Sequence, residues 1–110
     1  LKHAINYFYH QQNIRKLAVA SSADLSVIKA VMKRLSSPAV GIKECDLFGV
    51  QCSAADLEFG KPHPQVYLEA ARQLNVDPHH CLALEDSLNG TLSAKSARMK
   101  VISVPVDYPE

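Results

Sequence analysis

Apolar residues fall along this chain in blocks of two kinds. Val66, Tyr67, Ala70, Ala71 and Leu74 recur three and four apart, the stripe of an amphipathic helix, and predict a helix over about 64–74. The same spacing puts Val27, Ile28, Val31, Met32 and Leu35 on one face of a helix that Asp24 or Ser26 can cap and that stops before Pro38. Ala4, Ile5, Phe8 and Tyr9 predict a helix over 2–12. Between these stripes lie short apolar runs with no helical period, at 17–20, 81–84 and 100–104. They have the length of strands and lack polar alternation, as strands buried on both faces of a parallel sheet do. A weaker strand is expected near 50–52, and "SLNGTLSAKSAR" predicts a last helix with Leu88, Leu92, Ala94 and Ala97 as packing positions. Helix and strand thus alternate throughout, which predicts an α/β fold around a parallel sheet with right-handed crossovers.

Composition narrows the classes of function. The length of 110 residues suits one domain, and 47% hydrophobic against 21% charged residues suits a packed core. The formal net charge is +1 with the signs scattered, so there is no basic stripe for nucleic acid. No run approaches the ~18 apolar residues of a membrane span, and the first residues lack a signal peptide's apolar centre. Cys45, Cys52 and Cys81 are odd in number and form no C-x-x-C pair, so neither a zinc site nor a disulfide framework is indicated. A cytoplasmic protein with a small-molecule or protein partner is expected. His63, His79 and His80 lack the spacing of a metal site.

In an open parallel sheet ligands bind beyond the carboxyl ends of the strands. The run 17–20 delivers Ser21 and Ser22 to that edge, and the run 81–84 delivers Glu85 and Asp86. Two adjacent carboxylates after a buried strand call for solvent, a counter-charge or a bound cation. Mg²⁺ is the natural cation, since it takes oxygen ligands, is held by one or two carboxylates and shares its remaining positions with phosphate. Serine hydroxyls and free N–H groups at a strand-to-helix turn suit phosphate oxygens. Lys61 lies between Gly60 and Pro62, just ahead of Pro64, which fits the first turn of a helix. From that shaped lead-in it could reach a phosphate held between Ser21 and the cation. Taken singly, each feature has a plainer reading: a solvated lysine, serines as turn residues, and Asp86 or Ser87 as a helix cap. Their order along the chain is what joins them.

That compound pattern resembles the haloacid dehalogenase superfamily, in the branch that contains β-phosphoglucomutase and small sugar-phosphate phosphatases such as 2-deoxyglucose-6-phosphatase. The similarity runs over about 16–104. "LAVASSAD" is similar to the family's second motif, which makes Ser21 the phosphate-contacting hydroxyl and the Ser22 N–H its helper. "FGKPHPQVYLEAA" is similar to the third, which makes Lys61 the catalytic lysine on the phosphoryl group. "LALEDSLNG" is similar to the fourth, which makes Asp86 a Mg²⁺ ligand and Glu85 a ligand or its supporting neighbour. The resemblance implies a three-layer Rossmann-like core and a Mg²⁺-dependent phosphatase working through an aspartyl-phosphate. A phosphoglucomutase-type transfer is the alternative. Dehalogenases share the fold without needing a magnesium site, so Glu85 and Asp86 speak against them.

The resemblance also implies a first motif, Asp-x-Asp, at the end of a central strand, and a helical cap. This chain contains no Asp-x-Asp, so no nucleophile is expected within it. The expected organisation is a lead-in helix at 1–15 and the C-terminal part of the core domain at 16–110, without the first strand. The strands at 17–20 and 81–84 would then lack their shared neighbour, and a missing N-terminal segment or a strand-donating partner chain is expected to fill the place. By itself the chain is expected to be inactive. From another class, it could be a truncated domain that serves as a binding module.

Overall fold

Strand and helix alternate as the pattern predicts. The computed structural model describes residues 16–35 and 49–104; the helix predicted over 2–12 lies outside the described residues. The order is β1 (Ala18–Ser21), α1 (Leu25–Leu35), β2 (Val50–Ser53), α2 (Gln65–Leu74), β3 (Leu82–Glu85), α3 (Leu88–Ser96) and β4 (Lys100–Ser103). One-turn 3₁₀ segments, Ala54–Asp56 and Pro78–His80, lead out of β2 and into β3. The first and third strands run one residue further than the apolar runs, so Ser21 and Glu85 are the last residues of their strands.

All pairing among the described residues is parallel. β1 pairs with β2 in the register Ala18↔Val50 to Ser21↔Ser53, and β3 pairs with β4 from Leu82↔Lys100 to Glu85↔Ser103. β1 and β3 are not hydrogen-bonded to each other, so the strands form two separate two-stranded sheets. The core lies where α2 and α3 meet these strands: Val66, Tyr67, Ala70 and Ala71 of α2 pack with Cys52, Ala83, Ala94, Ala97 and Met99. Most of these side chains are small, which lets helix and sheet backbones approach closely.

Three packing expectations are corrected. On α1, Ile28 and Met32 are buried, but Val27 and Val31 are exposed, because the helix rests on β2 along the narrow 28/32 seam; the side chain of Leu35 lies outside the described ones. On α3, Ala94 and Ala97 are buried as expected, whereas Leu88 is 74% and Leu92 46% exposed. The face that meets the sheet is instead Gly90, Ser93, Ala94 and Ala97, spaced three and four apart. Finally, among the described residues β3 is covered on one face. Ala83 and Glu85 point inward while Leu82 and Leu84 are exposed, with Ile102 of β4 also exposed. α3 packs on this strand pair, and α2 reaches its inner face at Ala83 and Glu85.

Helix ends are fixed by local chemistry. Pro64 stands before α2 with φ −75°, and its carbonyl accepts the N–H groups of Tyr67 and Leu68. Asn75 ends α2 in the left-handed region with φ 56°, a conformation asparagine tolerates better than most residues. Ser87 caps α3, its Oγ accepting from Gly90 N–H at 3.0 Å.

Candidate active site

The carboxyl ends of β1 and β3 are joined by one side chain. Lys61 Nζ donates to the Ala20 carbonyl of β1 at 3.1 Å and to Glu85 Oε1 of β3 at 2.6 Å. Only 12% of the lysine side chain and 7% of the glutamate side chain remain accessible. The solvated-lysine reading is thereby excluded. A buried charge is expensive unless paired and hydrogen-bonded, and both conditions hold for this pair. Two of the ammonium's three N–H groups are placed by these acceptors, which leaves one to donate elsewhere.

The loop that carries Lys61 is fastened on several sides. His63 N–H donates to the Gly60 carbonyl at 3.0 Å, and Phe59 N–H donates to Gln65 Oε1 at 2.7 Å. Gln65 N–H donates to His63 Nδ1 at 3.1 Å, and the rings of Phe59 and His63 stack with centroids 4.5 Å apart. From beneath, Ser93 Oγ donates to the His63 carbonyl at 2.7 Å. Ser93 is fully buried on α3, so the lysine loop is tied to the helix that starts beside Glu85.

Glu85 is confined as tightly. Its Oε1 also accepts from the Tyr67 hydroxyl. Its Oε2 fills the space above Gly90, where an added Cβ would lie 1.9 Å from that oxygen. Glycine at position 90 is therefore required by the carboxylate's place at the start of α3, where the helix dipole favours negative charge. Burial, the hydrogen bond to Glu85 and the negative charges of Glu85 and Asp86 together keep the Tyr67 phenol protonated far above its ordinary range. Lys61 Nζ lies 5.1 Å from the centroid of the same ring, within reach of a cation–π attraction.

Ser21 and Ser22 flank this cluster at the end of β1. Ser21 Oγ accepts from Ala23 N–H at 3.1 Å, which leaves its own O–H free to donate to an anion. Ser22 is exposed. Ser53, buried at the end of β2, holds the same turn by donating to the Ala23 carbonyl at 2.5 Å and accepting from Ala55 N–H. Asp86 is exposed next to Glu85.

Among the described residues, no three of His, Cys, Asp or Glu converge as a complete metal cage. An incomplete oxygen set is nonetheless what Mg²⁺ uses when phosphate and water supply the rest. Asp86 fits that role as an exposed hard-oxygen donor. Glu85 Oε1 is already engaged by Lys61 and Tyr67.

Sequence reasoning singled out Lys61, Glu85, Asp86, Ser21 and Ser22, and the structure joins Lys61 directly to Glu85 and to the residue before Ser21. It missed Tyr67, read only as a packing position, and the clamps Ser53 and Ser93. A tyrosine on an inward helix face needs a partner for its hydroxyl, and that was the available signal. The serines left none.

The alternating parallel strands and helices define a Rossmann-like α/β domain, with the polar cluster at the carboxyl ends of its strands. The chain belongs to the haloacid dehalogenase-like hydrolases, whose family model matches residues 1–98. It is 55% identical over 60 residues to hexitol phosphatase B of Escherichia coli K12, covering 54% of this chain and 27% of that protein. A mutant of CbbY from Rhodobacter sphaeroides, solved in complex with xylulose-(1,5)bisphosphate, superposes with a TM-score of 0.77 at 31% identity, covering 96% of this chain and 44% of that one. β-Phosphoglucomutase from Clostridium difficile gives a TM-score of 0.68 at 28% identity over 92% of this chain and 41% of its own. The chain spans less than half the length of each of these relatives.

Proposed function

We propose that this chain supplies the phosphate-binding half of a Mg²⁺-dependent phosphatase acting on a small phosphorylated metabolite, of the sugar-phosphate kind. The observation that carries the reading is Lys61, buried between the ends of β1 and β3 with one N–H to spare. The name of hexitol phosphatase B and the bisphosphate in the CbbY complex support the substrate class.

Ser21 O–H, the Ser22 N–H and Lys61 would bind the phosphoryl oxygens, with the ammonium offsetting their charge. Asp86 would hold Mg²⁺, with Glu85 as its neighbour. When bound, the ion supplies charge neutralisation at the phosphoryl group. An aspartate outside this chain would attack phosphorus: its Oδ–P bond forms as the bond from phosphorus to the leaving oxygen breaks, and the leaving alkoxide takes a proton. Water then attacks the aspartyl-phosphate and releases phosphate. The strand bearing that aspartate would fit between β1 and β3, whose facing edges have no strand partner among the described residues, given either by the rest of the protein or by a partner chain. The chain without that strand would have no turnover.

The test is turnover of a panel of hexose and hexitol phosphates by the full-length protein with and without Mg²⁺. Asp86→Ala should abolish Mg²⁺-dependent release. Lys61→Ala should lower kcat by about 10²–10³-fold, the usual loss for a preorganised charge at the reacting centre. Wild-type-like rates in either variant would sink the reading.

A further inference from the structure

Tyr67 has no part in the scheme above, yet it touches both of its central charges. Its hydroxyl and the Lys61 ammonium donate to the same oxygen, Glu85 Oε1, and its ring lies under the ammonium at 5.1 Å. Both the tyrosine and the glutamate are buried, at 7% and 8% exposure. The other carboxylate oxygen is packed over Gly90, so Oε1 is the side on which Glu85 is held by donors.

We infer that Tyr67 is a positioning residue for Lys61: its hydroxyl keeps Glu85 Oε1 in place and satisfied, so that the lysine can share its charge with an incoming anion. This rests on the proposed reading of Lys61 as a phosphate-facing group. The physical reason is the cost of an unpaired buried carboxylate, which exceeds the gain from an ordinary hydrogen bond. If Lys61 were the sole donor to Oε1, an anion drawing the ammonium away would leave Glu85 stranded, and the lysine would be pinned to it. With the tyrosine hydroxyl on the same oxygen, Glu85 keeps a donor when Lys61 turns toward the ligand. The ring floor resists displacement of the cation as a whole, while leaving the third N–H unobstructed by any hydrogen-bond acceptor among the described residues. Tyr67→Phe removes the hydroxyl alone and keeps ring and packing, so it isolates this contribution.

Two measurements on the full-length protein decide the matter. The first needs no ligand: with ¹⁵N-labelled lysine, the Lys61 NζH₃⁺ signal should exchange with water roughly tenfold more slowly in Tyr67→Phe than in the parent, because the ammonium is then the sole donor to Glu85 Oε1 and is held there more tightly. An unchanged exchange rate overturns the inference. The second is calorimetric binding of inorganic phosphate in the presence of Mg²⁺. Tyr67→Phe should weaken it roughly tenfold, and should weaken it no further in a Lys61→Met background. An equal loss in that background would mean that Tyr67 acts through general packing, and overturns the inference. A parent protein that binds no phosphate contradicts the proposed function, and the lysine exchange rate still judges Tyr67.

Discussion

Among the described residues, polar side chains gather at both ends of the third strand, and the two gatherings are built differently. At the far end, Leu68, Asp77, Pro78, His79, Ser96, Ala97 and Arg98 line an open groove of about 350 Å³. Its charged residues are exposed and locally occupied: Asp77 caps the turn before β3 by accepting from His79 N–H at 2.8 Å. At the carboxyl end, Lys61, Tyr67 and Glu85 converge on one another from three different elements, all mostly buried. The lesson is that concavity alone does not single out a site, and that long-range convergence of buried charge is the stronger pointer to one. The hydrogen bonds made by Asp77 at the groove span two to four residues, whereas those joining Lys61, Tyr67, Glu85 and the end of β1 span 18 to 41.

That contrast predicts unequal responses to substitution. Glu85→Ala should be the most damaging change in stability, by about 3 kcal/mol, because it leaves the Lys61 ammonium buried without its counter-charge. Asp77→Ala, at the far end, removes a cap and should cost about 1 kcal/mol. Urea unfolding of the two full-length variants measures both, and equal losses would erase the distinction.

Gly90→Ala sharpens it further. Alanine is ordinarily the better helix former by about 1 kcal/mol, so a gain would be expected at an unconstrained helical position. Here the new methyl would lie 1.9 Å from Glu85 Oε2 and 2.1 Å from its Cδ, and Lys61 with Tyr67 prevents the carboxylate from yielding. Overpacking should win, for a net loss of about 1–2 kcal/mol, together with a loss of phosphate affinity as Glu85 is driven off Lys61.

How legible this was in the sequence differs between the two ends for the same reason. Strands β1, β3 and β4 were readable from uninterrupted apolar runs, and α2 from a clean helical stripe. Lys61, Glu85 and Asp86 were readable because charge directly after a buried strand, or between glycine and proline, needs a reason. What failed was anything decided by a neighbour distant in sequence. Leu88 and Leu92 looked like core, but the carboxylate of Glu85 requires glycine at 90, and that choice turns the small-residue face of α3 inward. Tyr67 looked like simple packing because the partner of its hydroxyl lies 18 residues away.

Alkaline pH gives a smaller and signed test of the same cluster. The Tyr67 phenol is held protonated in the folded protein, first by burial and then by Glu85, so its pKa is raised above the ordinary 10.0. A raised folded-state pKa stabilises the fold fully below the unfolded value and loses that contribution as pH climbs past it. Stability should therefore decline as pH rises above about 10, and Tyr67→Phe should flatten that decline. A parent and variant with parallel alkaline profiles would show that Tyr67 ionises freely.

The smallest effect belongs to the far groove and has the opposite sign. Both α2 and α3 end with the chain entering the left-handed region, at Asn75 with φ 56° and at Arg98 with φ 67°. The hydrogen bonds match: Val76 N–H reaches the Ala71 carbonyl at 3.1 Å and Met99 N–H the Ala94 carbonyl at 3.1 Å. Each is the long bond of a helix-ending motif in which glycine is favoured. Asparagine tolerates that conformation, but arginine bears the clash of its Cβ with backbone. Arg98 is exposed, so little packing would be lost on truncating it. Arg98→Gly should therefore stabilise the protein by about 0.5–1 kcal/mol, raising Tm slightly and leaving phosphate binding unchanged. A loss of phosphate affinity in that variant would tie the groove to the reaction centre and undo the contrast between the two ends.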